Sequence, residues 1–328
     1  MSGRALLEAT DLVKRYRANG GLFGAARGAR AVDGVSLAVR RGETVGLVGE
    51  SGSGKSTTGR LLLGLEKTDS GSVSFDGAPL PAIDSAAWRR QRARMQMVFQ
   101  DPPGSLDPRM TIREQLEEPL VIHGMGNKSV RRERVDALLD AVGLGRELAA
   151  RYPRQISGGQ CQRVVLARAI ATSPDLLVCD EPLSALDVST QAQIASLLKD
   201  LQARIGMALV FISHDLRAVR QLSDHVAVMY LGRIIEEGNS QDIFDRPLHP
   251  YTKALVAAIP KFGDDDHARP SLLEGAPASP NEATGCGFRS NCPLAAASCA
   301  VTAPVLRSLR AGRKVACGVV SDETSEAA

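Results

Sequence analysis

A lysine and a serine closing a glycine-rich loop, and two adjacent carboxylates ending an apolar run, are the residue types that hold and cleave a nucleoside triphosphate. The loop lies in ETVGLVGESGSGKSTTGRLLLGL, where a strand-like apolar run passes through glycines into a helix-like run. Gly49, Glu50, Ser51, Gly52, Ser53, Gly54, Lys55 and Ser56 match the phosphate-loop pattern G-x-x-x-x-G-K-[ST], and Thr57 follows. Glycines 49, 52 and 54 lack Cβ, so consecutive backbone N–H groups can turn inward to phosphate oxygens at the positive end of the next helix. Lys55 then reaches the β and γ phosphates as a point charge, and the Ser56 hydroxyl is placed for Mg2+. The loop alone does not separate ATP from GTP.

The carboxylates are Asp180 and Glu181, at the end of DLLVCDEP, a run suited to a buried parallel strand. Asp180 is the natural partner of the Mg2+ shell, and Glu181 stands where it can polarise a water for attack on the γ-phosphate. A second anion site is written in YPRQISGGQCQRVVLARAI, where Ser157, Gly158, Gly159 and Gln160 open a helical pattern. One phosphate loop beside two phosphate-binding helix starts is odd, unless the second start serves the nucleotide of a neighbouring subunit.

These residues need a scaffold that brings strand ends together. The runs VSLAV, TVGLVG, DLLVC and ALVFIS alternate with helical patterns, which predicts an α/β fold with a largely parallel sheet flanked by helices. Residues 100–172, with the periodic runs IREQLEEPLVI and VRRERVDALLDAVGL, read as an inserted helical subdomain without heptad repeats. The chain of 328 residues is long enough for a large domain and an appendage. Forty Lys plus Arg against 37 Asp plus Glu leave a charge of only +3, so no global field points to nucleic acid. The N-terminus lacks the apolar core of a secretory signal, and no apolar run approaches the roughly eighteen residues of a membrane span, so a cytoplasmic location is expected.

That compartment disfavours disulfides and gives weight to a cysteine group near the end of the chain. Cys286, Cys292 and Cys299 lie in GCGFRSNCPLAAASCA, Cys317 follows, and Cys161 and Cys179 sit far upstream among apolar residues. The spacings C-x5-C, C-x6-C and C-x17-C lack the C-x2-C knuckle usual for zinc, and four thiolates also suit an iron-sulfur cluster. Four reduced thiols packed in a small appendage is the plain alternative. The tail has little apolar surface of its own, so metal binding would supply what burial cannot.

The run ISGGQ resembles the signature of ATP-binding cassette (ABC) ATPases, and Gln100 in MVFQDP, Ser184 to Asp187 in SALD and His214 in FISHD fall in that family's order. The resemblance implies that two cassettes sandwich ATP between the phosphate loop of one and the signature of the other. Gln100 would sense Mg2+ and the attacking water, Asp187 would link the two sites, and His214 would hold the γ-phosphate and orient the water of Glu181. Tyr16 resembles the aromatic that stacks on adenine, although the glycine-rich insertion ANGGLFGAARGA follows it closely. The chain departs from the common signature at Ile156 and at Cys161, where a small thiol replaces a charged or polar residue near the expected dimer interface.

FQDPPGSLDPRMTIREQLEEPL, HPYTKALVAAIP and the cysteine tail resemble the ATPase subunits of oligopeptide, dipeptide and nickel importers. The resemblance divides the chain into a cassette at 1–260, a linker at 261–284 and a cysteine-cluster region at 285–328. It implies a second, related ATPase subunit, two transmembrane permease subunits and an extracytoplasmic solute-binding protein. It places the chain peripherally on the cytoplasmic face of the cell membrane. It also implies a [4Fe-4S] site on Cys286, Cys292, Cys299 and Cys317. An exporter subunit or a soluble non-transport ABC ATPase shares the catalytic motifs and is the alternative.

Overall fold

Two sheets divide the labour of the molecule. The computed structural model describes residues 4–16, 29–100, 103–184, 186–259, 284–309 and 312–320. The insertion after Tyr16 and nearly all of the expected linker therefore lie outside the described residues. The smaller sheet is antiparallel, with β1 (Ala5–Tyr16), β2 (Ala29–Arg40), β4 (Ser70–Phe75) and β5 (Ala78–Pro79) in the order β2-β1-β4-β5. The larger sheet contains β3 (Thr44–Val48), β6 (Met95–Val98), β7 (Leu176–Asp180), β8 (Ala208–Ile212), β9 (His225–Tyr230), β10 (Arg233–Asn239), β11 (Arg307–Ser308) and β12 (Lys314–Val315). Its order is β11-β12-β10-β9-β3-β8-β7-β6. The run from β9 to β6 is parallel, whereas β10, β12 and β11 pair antiparallel, so the sheet is mixed.

Burial follows sequence pattern. Every residue of β3, β7 and β8 is buried, as expected of central parallel strands covered on both faces. By contrast, Val35, Leu37 and Val39 alternate with exposed Ser36, Ala38 and Arg40 along β2, the signature of a strand with one solvated face. VSLAV therefore belongs to the antiparallel sheet and not to the parallel one predicted for it.

The helices are α1 (Lys55–Leu62), α2 (Ala86–Gln91), α3 (Ile112–Ile122), α4 (Lys128–Ala141), α5 (Gly158–Ala169), α6 (Val188–Ile205), α7 (Leu216–Leu222), α8 (Ser240–Asp245), α9 (Pro250–Ala257) and α10 (Ser298–Val301). Helices α3, α4 and α5 pack on one another around Ile112, Leu116, Val135, Leu139 and Val164, forming the helical insertion. Side chains start each of them: Thr111 and Glu114 form a capping box at α3, Asn127 caps α4, and Ser157 with Gln160 boxes the start of α5. Among the described residues no helix is long and apolar enough to cross a membrane.

The tail is joined to the cassette at β10, where Glu236 pairs with Val315 across the ladder. Glu236 is fully buried, its carboxylate lies 2.7 Å from the Arg313 guanidinium, and it accepts the N–H groups of Leu248 and His249 at 2.9 and 2.8 Å. One carboxylate thus ties together the tail, the sheet and the start of the HPYT segment.

Candidate nucleotide site

Register creates the site. Leu47 lies opposite Ile212, and Ile212 opposite Asp180, so β3, β8 and β7 end in one row. Everything emerging from that row meets at the carboxyl edge of the sheet, where open α/β sheets bind ligands. The phosphate loop leaves β3, Glu181 leaves β7, and Ser213 and His214 leave β8.

Backbone sterics demand the glycines of the loop. A Cβ on Gly49 (φ 150°) would sit 2.2 Å from the Met229 carbonyl oxygen, and one on Gly54 (φ 101°) would sit 2.0 Å from that of Ala31. Lys55 is 4% exposed, and its Nζ donates to the carbonyls of Gly49 and Glu50 at 2.8 Å each. Burial pulls the Lys55 ammonium below its ordinary pKa, against the opposing pull of Glu181, Asp180 and Glu50. A triphosphate would add countercharge to this buried cation.

Ser56 Oγ donates to Asp180 Oδ1 at 2.8 Å, so a hydroxyl and a carboxylate already face each other across the edge. Burial pushes the Asp180 carboxyl up, while the Ser56 hydrogen bond lowers it. A hard cation with oxygen ligands fits this pair. Next to it, Glu181 Oε2 lies 3.3 Å from Gln100 Nε2 and 3.2 Å from His214 Nδ1. Glu181 itself has φ 49°, a left-handed conformation that L-residues seldom adopt, with its N–H bonded to the Ile212 carbonyl at 2.9 Å. The three residues expected to handle the attacking water are thus in one constellation.

Tyr16 ends β1 with its ring 40% exposed, and its hydroxyl lies 2.7 Å from Glu66 Oε2. The Thr57 hydroxyl also interacts with it, which joins Tyr16 to the first turn of α1. Asp187 caps α6 through the Thr190 N–H and the hydroxyls of Ser189 and Thr190, which hold its carboxyl far below the usual carboxylate range. The signature residues Ser157 and Gly158 are exposed, and α5 packs on α3, α4, α6 and β6, whereas α1 packs on β1, β2, β7 and β8. The two helix starts expected to bind anions are therefore carried by different parts of the molecule. Cys161, expected near an interface, is 7% exposed and donates toward the Pro153 carbonyl at 3.6 Å, so its thiol belongs to the helical core.

The four tail cysteines are free and half-buried. Among the described residues no three metal-ligating side chains are gathered closely enough to hold an ion. The thiols nevertheless share one field: burial pushes Cys286 and Cys292 up, and Cys299 and Cys317 add to both shifts. Sequence reasoning also missed Tyr251 of the HPYT segment, whose hydroxyl accepts the Glu50 N–H at 3.0 Å. Its one sequence signal is an aromatic residue inside the HPYTKALVAAIP run.

A phosphate loop and a Gln-Glu-His constellation at one sheet edge, with a capped SGGQ helix start on the helical insertion, define an ABC-type ATPase cassette, and residues 32–184 match the family model for ABC transporters. Residues 235–299 match the model for the C-terminal region of oligopeptide/dipeptide transporters. The oligopeptide transport ATP-binding protein OppF of Salmonella typhimurium is 50% identical over 282 residues, covering 84% of each chain. Its namesake in Escherichia coli is 46% identical over 310 residues, covering 92% of this chain and 93% of that one. A solved ATP-binding cassette, dimeric and in a post-hydrolysis state with ADP and phosphate, is 31% identical with a TM-score of 0.63, covering 71% of this chain and 98% of that one. The chain belongs to the ATP-binding subunits of ABC-type oligopeptide and dipeptide importers. The exporter and non-transport alternatives give way to that membership.

Proposed function

We propose that this chain hydrolyses ATP to power uptake of peptides or a related small solute, working as one of two cassettes on the cytoplasmic face of the membrane. The observation that carries the reading is the Glu181 carboxylate held between Gln100 and His214 beside a phosphate loop, in a chain alike to peptide-import ATPases along nearly its whole length. Glu181 accepts a proton from water as the water oxygen bonds to the γ-phosphorus and the bond to the β,γ-bridging oxygen breaks, giving ADP and phosphate. His214 and Gln100 orient that carboxylate and the water, Lys55 holds the β and γ phosphates, and Tyr16 stacks on adenine. Ser56 and Asp180 would hold Mg2+, which neutralises phosphate charge when bound. Uptake of labelled peptide into vesicles carrying the whole transporter should require ATP and be abolished by Lys55→Ala. ATP hydrolysis without peptide uptake would assign another solute.

The partners follow from the same reading: a second, related cassette, two permease subunits and an extracytoplasmic binding protein. Ser157, Gly158, Gly159 and Gln160 act on the nucleotide of the partner cassette, and Asp187 lies on the path between the two sites. A cleft of about 830 Å3 lined by Gln96, Phe99, Glu118, Ile122, His123 and Arg168 offers a permease segment a seat immediately beside Gln100. Phe99 and Ile122 are 43% and 69% exposed there and give the cleft an apolar lip.

For the tail, the supporting observation is four free, half-buried thiols on a short segment with little core of its own, and as placed they must draw closer together before they can hold an ion. Cys286, Cys292, Cys299 and Cys317 would ligate a [4Fe-4S] cluster, which would crosslink the tail and take no part in hydrolysis. Anaerobically purified protein should be brown and carry iron and labile sulfide, both lost in Cys292→Ser. One equivalent of zinc in colourless protein would reassign the metal, and neither metal would leave four structural thiols.

A further inference from the structure

The peptide unit that begins the phosphate loop is gripped from two sides. On one side Lys55 Nζ takes the carbonyl oxygens of Gly49 and Glu50, as described above. On the other, the Glu50 N–H donates to the hydroxyl of Tyr251, a residue 201 positions away at the start of α9. Tyr251 is fully buried, so this acceptor is fixed by packing and not by a solvent-exposed rotamer.

What fixes it comes from the tail. Phe288, two residues after Cys286 and 2% exposed, meets the Tyr251 ring edge-on at 5.5 Å and 73°, and the Tyr230 ring at 5.6 Å and 87°. Tyr230 and Tyr251 lie 4.6 Å apart, and His249 lies 5.9 Å from Phe288. These separations are those of favourable aromatic pairs. Next to Phe288 the tail backbone is close enough that a Cβ on Gly287 would be 3.0 Å from Leu231 Cδ1. His249 Nδ1 accepts the Tyr251 N–H at 3.0 Å, which fixes the tyrosine from its own backbone as well.

We propose that Tyr251 is a positioning residue for the phosphate loop, and that Phe288 carries the docking of the cysteine tail onto it. Tyr251 bonds to the loop backbone and holds the Gly49–Glu50 peptide in the orientation that sets the following N–H groups on the phosphates. Nucleotide affinity is then preorganised in part by the far end of the chain. The proposal rests on the reading that the loop binds ATP, and it goes beyond that reading by giving the HPYT segment and the tail a role in nucleotide affinity.

The test is equilibrium binding of a fluorescent ATP analogue with Mg2+ to the full-length chain, together with steady-state ATPase of the copurified transporter. Tyr251→Phe keeps the ring and removes only the hydroxyl, so affinity should weaken roughly five- to tenfold and KM for ATP rise to match. Turnover at saturating ATP should stay within about twofold, a split that general destabilisation does not produce. Phe288→Leu should weaken binding in the same direction, and the double variant should bind no worse than Tyr251→Phe alone. Unchanged or tighter binding by Tyr251→Phe overturns the positioning role, and additive losses in the double variant overturn the relay through Phe288. Wild-type protein that fails to bind the analogue would instead refute the nucleotide reading itself, with Lys55→Ala as the non-binding reference.

Discussion

The nucleotide edge and the cysteine tail each hold a few polar groups in place, and they do so by opposite means. At the edge, β3, β8 and β7 end in register, so Ser56, Asp180, Glu181 and His214 meet because continuous buried strands leave them no other place. The tail reaches the cassette through the two-residue strands β11 and β12, the buried Arg313–Glu236 pair and the ring of Phe288. A site on a sheet edge inherits the rigidity of the core, whereas an appendage depends on individual contacts, each of which can be removed singly.

The comparison breaks most sharply at Glu181. Glu181→Gln leaves the strands intact and should lower single-turnover ATP hydrolysis by about a hundredfold or more, with nucleotide affinity unchanged. Turnover near that of the parent would remove Glu181 as the base. In the tail, Arg313→Met deserts a carboxylate that is 0% exposed, and removing one partner of a buried pair costs about 3–5 kcal/mol. Urea unfolding should register that loss. A loss below about 1 kcal/mol would mean that the tail is held chiefly by its rings and strands.

A smaller effect sharpens the comparison through pH. Burial lowers the His249 imidazole to about 4, and its Nδ1 must stay unprotonated to accept the Tyr251 N–H. The unfolded chain takes up a proton below its ordinary value of about 6.5, which the folded chain refuses until about 4. This contribution is therefore complete above pH 6.5 and declines as pH falls toward 4, by up to about 3 kcal/mol. His249→Asn keeps a capping acceptor and should flatten the stability curve across that window. An unchanged slope would show that other groups govern it.

The legible parts of the sequence were those whose chemistry is local. GESGSGKST, DLLVCDEP and ISGGQ each state their loop, strand end or helix cap within a few residues, and the apolar runs of β3, β7 and β8 name themselves. VSLAV departs from the parallel sheet because its alternation, readable in Val35, Leu37 and Val39, suits one buried face, unlike the continuous runs around it. The Tyr251–Glu50 bond joins residues too far apart for any periodicity to report. The left-handed backbone at Glu181 is equally silent, since nothing in the letters DEP demands it.

That backbone conformation sets stability and activity against each other. A non-glycine residue at φ 49° costs of order 1–3 kcal/mol, so glycine or asparagine at position 181 would relax the chain while deleting its proposed base. A collection of variants sorted only for resistance to heat would drift toward cassettes that outlast the parent and turn nothing over. Any effort to harden this protein has to count product as well as survivors.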